Sequence, residues 1–440
     1  MKSSNRWTGQ QVSESLLVLL HGKHIAELTR DGQRLALTYT DSHTRRPDAT
    51  PISVSMPTST RTHNTKTVEP WLWGLLPDND RVLQRWAREF QVSPRNVFAL
   101  LRHVGEDCAG AIQFVRHERL EALNTSGITW LADDDVAEML RELNADPTAW
   151  HQKNRTGMFS LAGAQAKIAL HFDGTRWGLP HGTTPTTHIL KPTILGLDDH
   201  DLNEHICLTT GRLLGLRTAA TTVGSFGDQR ALVVTRYDRM LGPDGQFTRL
   251  HQEDLCQSLS IHPDGKYQAE GGPTPKAITD MFRRTSTHSV AADMTTRFVD
   301  ALAFNWLIAG TDAHAKNYSL LLHNNDVRLA PLYDIASALP YPDFDQHDLR
   351  LAMKVGKTYE LAYIGRSNWE ALAGQVGLLP KEVVDRVADL AVRLPDAMAK
   401  VCSSPALVSL GSSLPERLLD VVAARANACG DRLAITAGRP

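Results

Sequence analysis

The feature that most constrains the fold is a change of hydrophobic period near residue 250. Between about 158 and 240, short apolar runs bounded by turn residues read as strands at 158–161, 167–172, 188–192, 221–226 and 230–235. One helix, 202–214, interrupts them and stops at Gly215, where a residue without a Cβ accepts a left-handed backbone. After about Gln252 helical spacing dominates. A long apolar helix spans 294–309, and amphipathic helices near 381–399 and 414–428 close the chain.

The preceding residues read as a separate small unit. Residues 1 to about 14 are polar and read as loosely attached. Runs at 16–20 and 25–28, joined by His21-Gly22-Lys23, predict a hairpin, and 35–39 adds a strand. The stretch 41–67 is rich in Ser, Thr, Pro and Arg and predicts a long surface loop. Helical spacing begins at Trp71. Pro77-Asp78-Asn79 reads as the cap of a helix carrying Val82, Leu83, Trp86 and Phe90, and Ser93-Pro94 opens the next. A turn at 105–110, a strand at 111–115 and a helix at 133–143 follow. The expected division is 1–120, 121–250 and 251–440.

Composition excludes several function classes. The formal net charge is -2 over 440 residues, so overall charge does not make the chain a general polyanion binder. The five cysteines are dispersed and form no C-x-x-C pair, which favours reduced, buried thiols over a disulfide framework or zinc site. No apolar run is long enough to span a bilayer, and the first residues do not read as a secretory signal. A cytoplasmic protein with no membrane partner is the expectation.

Chemistry concentrates in four places. Thr311-Asp312-Ala313-His314-Ala315-Lys316-Asn317 directly follows the apolar helix and holds an aspartate and an asparagine at the D-x4-N spacing of a kinase catalytic loop. Asp312 would orient or deprotonate a substrate hydroxyl, Asn317 would hold magnesium, and His314 and Lys316 would lie beside phosphates. Upstream, Ala162-Gly163-Ala164-Gln165-Ala166-Lys167 has small residues that let backbone N–H groups approach phosphate oxygens, and it suits any tight turn equally. Lys191 ends an apolar strand, as in the V-A-I-K strand of kinases, or is an exposed strand-end lysine. Glu204 is placed to pair with Lys191, or is an ordinary glutamate stabilised by the helix dipole. Downstream, Asp334 stands where an aspartate bridging magnesium to phosphates belongs, or caps a turn. Each part has an ordinary alternative. Their order and spacing together favour phosphoryl transfer from ATP with Mg²⁺, which demands positioning and charge neutralisation.

Long segments resemble the HipA family, the serine/threonine kinase toxins of bacterial toxin–antitoxin systems. They include FSLAGAQAKIAL (159–170), GTTPTTHILKP (182–192), QEDLCQSL (252–259), KYQAEGGP (266–273), FNWLIAGTDAHAKNYSLLL (304–322) and PLYDIASALPY (331–341), with GLLPDNDRV (74–82) and GEDCAGAI (105–112) nearer the start. The resemblance implies an α+β, protein-kinase-like two-lobe fold related to phosphatidylinositol kinases, preceded by a small N-terminal subdomain. It implies ATP contacts from Ala162, Gly163, Ala164, Gln165, Ala166, Lys167 and Lys191, and a hinge at Thr235, Arg236 and Tyr237. It further implies phosphate contacts from His314, Ala315, Lys316 and Asn317, a metal side at Tyr333 and Asp334, and catalysis by Asp312.

Ser160 matches the serine that this family autophosphorylates. A dianionic phosphate there would repel ATP or pull the loop outward. Ala166 replaces the glutamate usual in the loop, and Thr235 takes a hinge place often held by glutamate. The resemblance also implies a HipB-like helix-turn-helix antitoxin dimer as partner, operator DNA reached through it, and a translation component as substrate, such as glutamyl-tRNA synthetase. Two other readings stay open: a binding module acting as antitoxin-bound corepressor, and a small-molecule or lipid kinase on the same fold.

Overall fold

The computed structural model describes residues 14–121, 126–149, 162–194, 196–343 and 348–434. Strands Glu14–Leu20 (β1), Lys23–Asp31 (β2), Arg34–Tyr39 (β3), Thr62–Asn64 (β4) and Ile112–Val115 (β5) form one antiparallel sheet in the order β4-β3-β2-β1-β5. Helices Asp41–Thr44 (α1), Thr65–Gly74 (α2), Asp80–Phe90 (α3) and Val97–Val104 (α4) belong to the same part of the chain. Trp71, Trp86, Phe98 and Phe114 are fully buried there. Helix α3 shows why it starts where it does: Asn79 is the N-cap, and its Oδ1 accepts from Arg81 N at 3.0 Å.

The polar stretch after β3 is not the surface loop its composition suggests. Ile52, Ser53 and Met56 are fully buried. Tyr39 Oη donates to Met56 O at 2.7 Å and accepts from Ile52 N at 2.8 Å. Val54 N donates to Glu253 Oε1 at 2.7 Å, and Ser55 Oγ donates to Gln257 O at 3.0 Å. Ser55 and Thr50 satisfy backbone groups inside a contact with the C-terminal half, so polarity in the middle of the stretch marks an interior joint.

Strands Gly127–Trp130 (β6), Ile168–Phe172 (β7), Trp177–His181 (β8), His188–Pro192 (β9), Thr221–Phe226 (β10) and Gln229–Thr235 (β11) form a second sheet, in the order β10-β11-β9-β7-β8-β6. Sequence reading missed β8 because Gly178 and Pro180 argue against a strand. Its pairing with β7 spans only two residue pairs, so Pro180 lies opposite Ile128 of β6 and needs no N–H toward β7. Helices Asp133–Ala145 (α5) and His200–Leu213 (α6) accompany this sheet. A small hairpin, Arg239–Leu241 (β12) with Phe247–Arg249 (β13), follows it.

The last part is mostly helical. His251–Asp254 (β14), Ser319–His323 (β15) and Asp326–Leu329 (β16) make a three-stranded sheet, and Arg350–Val355 (β17) pairs with Thr358–Glu360 (β18). Around them stand Leu255–Ser258 (α7), Pro275–Thr285 (α8), His288–Ile308 (α9), Arg366–Val376 (α10), Pro380–Cys402 (α11), Pro405–Val408 (α12) and Leu414–Ala434 (α13). Helix α9 is the spine, with Phe298, Phe304 and Trp306 fully buried. It ends at Ala309 with φ of 53°, and Gly310 N donates to Asn305 O at 2.7 Å. A Cβ on Gly310 would collide with Asn305 Oδ1. The chain therefore leaves the spine in one fixed direction, toward Asp312. The strand expected at 158–161, Ser160 within it, and the expectation for residues 1–13 fall outside the described residues.

Candidate phosphoryl-transfer site

Between the second sheet and the helical part lies a cleft of about 550 Å³, within the range of small-molecule sites. Ile189 of β9 and Val234 of β11 supply an apolar wall, and Ile189, Tyr237 and Tyr333 all pack against the small cluster of Ala219, Leu232 and Val234. At the far end of β9, Lys191 Nζ lies 2.7 and 3.0 Å from the two carboxylate oxygens of Glu204 on α6, and it also contacts Asp334 Oδ1. The Lys191 and Glu204 side chains are 7% and 2% exposed. Burial alone would lower the Lys191 pKa. Asp334 and then Glu204 more than offset it, so the ammonium is held well above the ordinary lysine value. Burial likewise opposes ionisation of Asp334, but Lys191 and Lys167 hold its carboxyl well below the usual range. Burial pushes Glu204 up, Lys191 opposes this, and the like charge of Asp334 adds to the rise. The triad is fixed from outside: Arg230 reaches Asp201 of α6 at 2.7 Å, and Asn203 exchanges two hydrogen bonds with Ser337 at 2.8 and 2.9 Å.

The loop before β7 closes the cleft from above. Gly163 has φ of +103°, and a Cβ there would sit 2.7 Å from Lys167 Nζ. Lys167 in turn donates to Ala162 O at 2.7 Å. Burial pulls its pKa down to about 8, against the pull of Asp334. Replacing Gly163 with Ala imposes the strain of a positive φ on a residue with a Cβ, of order 1–3 kcal/mol, and displaces the Lys167 ammonium. ATP affinity is expected to fall about tenfold, read by titration with a fluorescent ATP analogue, with the circular dichroism of the fold unchanged. Undiminished affinity would show that the loop geometry does not matter to the nucleotide.

Beneath this loop, Asp312 is 69% exposed on its side chain, and the hydroxyl of Tyr267 donates to its carboxylate. Asn317 Nδ2 donates to Asp312 O at 2.7 Å, which leaves its amide oxygen as the atom for a cation. His314 is buried, burial lowers its pKa, and its ring meets that of Tyr267 edge-on at 4.9 Å. Lys316 also lines the cleft, and its Nζ contacts Asp78 Oδ1.

Most residues expected from sequence line this one cleft. They include Ala162 to Gln165, Lys167, Lys191, Thr235 to Tyr237, Asp312, His314, Lys316, Asn317, Tyr333 and Asp334. Ala166 instead packs against the core shared by the two sheets, and Ala315 lies in the core around α9. The Arg236 guanidinium is consumed by Asp238 at 2.7 and 3.0 Å and by Thr186 at 2.8 Å, so its side chain is scaffold rather than a reader of a base. Tyr333 Oη donates to Lys316 O at 2.7 Å, bracing the Asp312 loop from below. Asp78, which lines the cleft, and Tyr267, which donates to Asp312, had no chemical role in the sequence reading. Tyr267 lies in KYQAEGGP, whose match carried no assigned chemistry, and Asp78 was absorbed into a helix cap.

Asp334 and Asn317 together offer a carboxylate and an amide oxygen, the sparse oxygen set that suits Mg²⁺ arriving with a nucleotide's phosphates. The left-handed backbone at Asp334, φ of 54°, aims that carboxylate at Lys191. A strand-borne lysine clasped by a helical glutamate, over a loop bearing Asp and Asn, defines a protein-kinase-like fold of two lobes.

Known proteins narrow this class. Residues 159–398 match the HipA-like C-terminal domain, and residues 16–115 match the HipA N-terminal domain. The chain is 34% identical to Y4mE of Sinorhizobium fredii, over 92% of its own length and 96% of that protein. It is 30% identical to the serine/threonine-protein kinase toxin HipA of Shewanella oneidensis, over 80% of this chain and 81% of the relative. The solved complex of Shewanella oneidensis HipA, HipB and operator DNA contains a chain that matches with a TM-score of 0.81 at 26% identity, covering 95% of this chain and 98% of that one. The chain belongs to the HipA family of serine/threonine kinase toxins. Among the described residues, no helix is long and apolar enough to cross a membrane.

Proposed function

We propose that the chain is an ATP-dependent serine/threonine protein kinase, acting in the cytoplasm as the toxin of a toxin–antitoxin pair. The observation that carries this reading is the convergence of Lys191, Glu204 and Asp334 on one side of the cleft with Asp312 exposed on the other. Lys191 and Lys167 would hold the nucleotide's phosphates, and Asn317 and Asp334 would hold Mg²⁺. Bound Mg²⁺ supplies neutralising charge on the transferring phosphoryl group. Asp312 orients a serine hydroxyl and accepts its proton as the oxygen bonds to the γ-phosphorus and the bond to ADP breaks.

The proposed units are an N-terminal subdomain at 1–120, a β-rich lobe at 121–250 and an α-helical lobe at 251–440. The proposed acceptors are Ser160 of the chain itself and a serine on a translation component such as an aminoacyl-tRNA synthetase. The proposed partners are a HipB-like antitoxin dimer and, through it, operator DNA. A relative solved in complex with HipB and operator DNA supports the partner reading. Purified protein with Mg-ATP should label itself, and Ser160→Ala should remove that label while leaving transfer to substrate. Phosphoproteomics after brief induction should show a new phosphoserine on the translation machinery. No self-labelling, no ATP binding and no new phosphosite would sink the reading.

A further inference from the structure

We infer that Asp78 is a positioning residue of the site, supplied by the N-terminal unit, which ties the phosphate loop to the catalytic loop. The proposal deepens the kinase reading and rests on it for its kinetic consequence. Asp78 lies between α2 and α3 in Pro77-Asp78-Asn79. The cap of α3 is already made by Asn79, so the Asp78 carboxylate is not needed there.

Its backbone and side chain face different loops. Asp78 N donates to Gly163 O at 3.1 Å, Pro77 forms an isolated parallel bridge with Gly163, and Asn79 Nδ2 donates to Ala164 O at 3.5 Å. The side chain, 9% exposed, takes Lys266 Nζ at 3.0 Å on one oxygen and contacts Lys316 Nζ with the other. Lys266 O accepts from Ala315 N at 3.2 Å, and the next residue, Tyr267, holds Asp312. One carboxylate thus joins the loop over the phosphates, the catalytic loop, and the segment that grips the catalytic aspartate.

Charge separates this role from simple packing. Two lysines share this one carboxylate, and the buried Asp254 is a second acidic group near Lys316, so the local charge is set by all four. Removing the carboxylate raises that charge while it loosens both loops. A purely structural residue would lower turnover only by lowering the active fraction. A tether of this kind should instead lower kcat while leaving the KM for ATP unchanged or smaller, because the freed lysines favour an anion.

Asp78→Asn tests this in the full-length protein, with ATP-binding stoichiometry counted first. The expected result is stoichiometric ATP binding, a KM for ATP no higher than wild type and a kcat at least tenfold lower. The added loss in Asp78→Asn/Lys316→Met, relative to Lys316→Met, should be far less than tenfold. Amide exchange of the nucleotide-free protein reads the tether without catalysis: it should rise at residues 163–167 and 315–317 and stay unchanged in α9 and α11. If Asp78→Asn unfolds globally, Lys266→Met, on a side chain 19% exposed, applies the same exchange test to half of the tether. Wild-type exchange in both loops, or a kcat loss that follows binding stoichiometry, would overturn the proposal. Failure of the wild-type protein to bind ATP or transfer phosphate would overturn the kinase reading, and the exchange arm would still decide the tether.

Discussion

Asp312→Asn is expected to lower kcat for phosphoryl transfer by about 10²- to 10⁴-fold, the usual weight of a positioned general base. That corresponds to roughly 3–5 kcal/mol at the transition state. The substitution keeps an oxygen that can accept from the Tyr267 hydroxyl, so the local shape survives while the carboxylate basicity is lost. The Asp312 side chain is 69% exposed and stands 4.0 Å from the His314 ring, too far for a hydrogen bond, so stability should change by no more than about 0.5 kcal/mol. ATP affinity should hold for the same reason. The measurement pairs single-turnover transfer with ATP titration and thermal unfolding. Transfer within threefold of wild type would remove Asp312 from the chemistry.

Lys191→Met is expected to produce the largest loss of stability among the site variants. Methionine fills similar volume, so the change is chiefly electrostatic. It leaves Glu204 and Asp334 facing each other in a buried site without their shared cation. Breaking a buried pair from one side costs about 3–5 kcal/mol, since the remaining charge keeps its desolvation penalty. Nucleotide binding should be lost as well, because the cation set against the phosphates is gone.

The pH dependence has a definite sign. In the wild type the Asp334 pKa is depressed, so its contribution is present above the unfolded carboxylate value and is lost as pH falls through the lower folded value. The Lys191 pKa is raised, so its contribution is complete below the unfolded lysine value and is lost as pH rises through the folded one. In the variant the two carboxyls lose the Lys191 cation, keep only the weaker pull of Lys167, and take up protons more readily. The stability gap between wild type and variant should therefore narrow as pH falls from 7 toward 4. Adding Glu204→Gln should recover part of the loss at pH 7. A variant as stable as wild type at neutral pH would show that the triad holds little of the fold.

The order of the chemical parts was legible in the sequence because each sits at the end of a strongly patterned element. Apolar β9 carries Lys191, and α9 delivers Asp312 and Asn317, so the period of the flanking residues places both. Glu204 was different. From sequence it was equally a lysine partner or a dipole-stabilised glutamate, and only the packing of α6 against β11, through Arg230 and Asp201, sets it on Lys191. The stretch after β3 was misread because composition reports polarity, not location. The hydroxyls of Thr50 and Ser55 are spent on interior hydrogen bonds rather than on water.

Local pattern thus carried the change from strand-rich to helix-rich chain and the order of the loops on which the candidate residues lie, since these depend on neighbours a few positions apart. What it could not carry are the pairings across long separations: Lys191 with Asp334 over 143 residues, Tyr267 with Asp312 over 45, and Lys316 with Asp78 over 238. A carboxylate has the same local signature whether it caps a helix, faces water or clamps two lysines. Which of these it does is set by the desolvation and Coulomb energy of the groups the folded chain brings to it, and those come from elsewhere in the sequence.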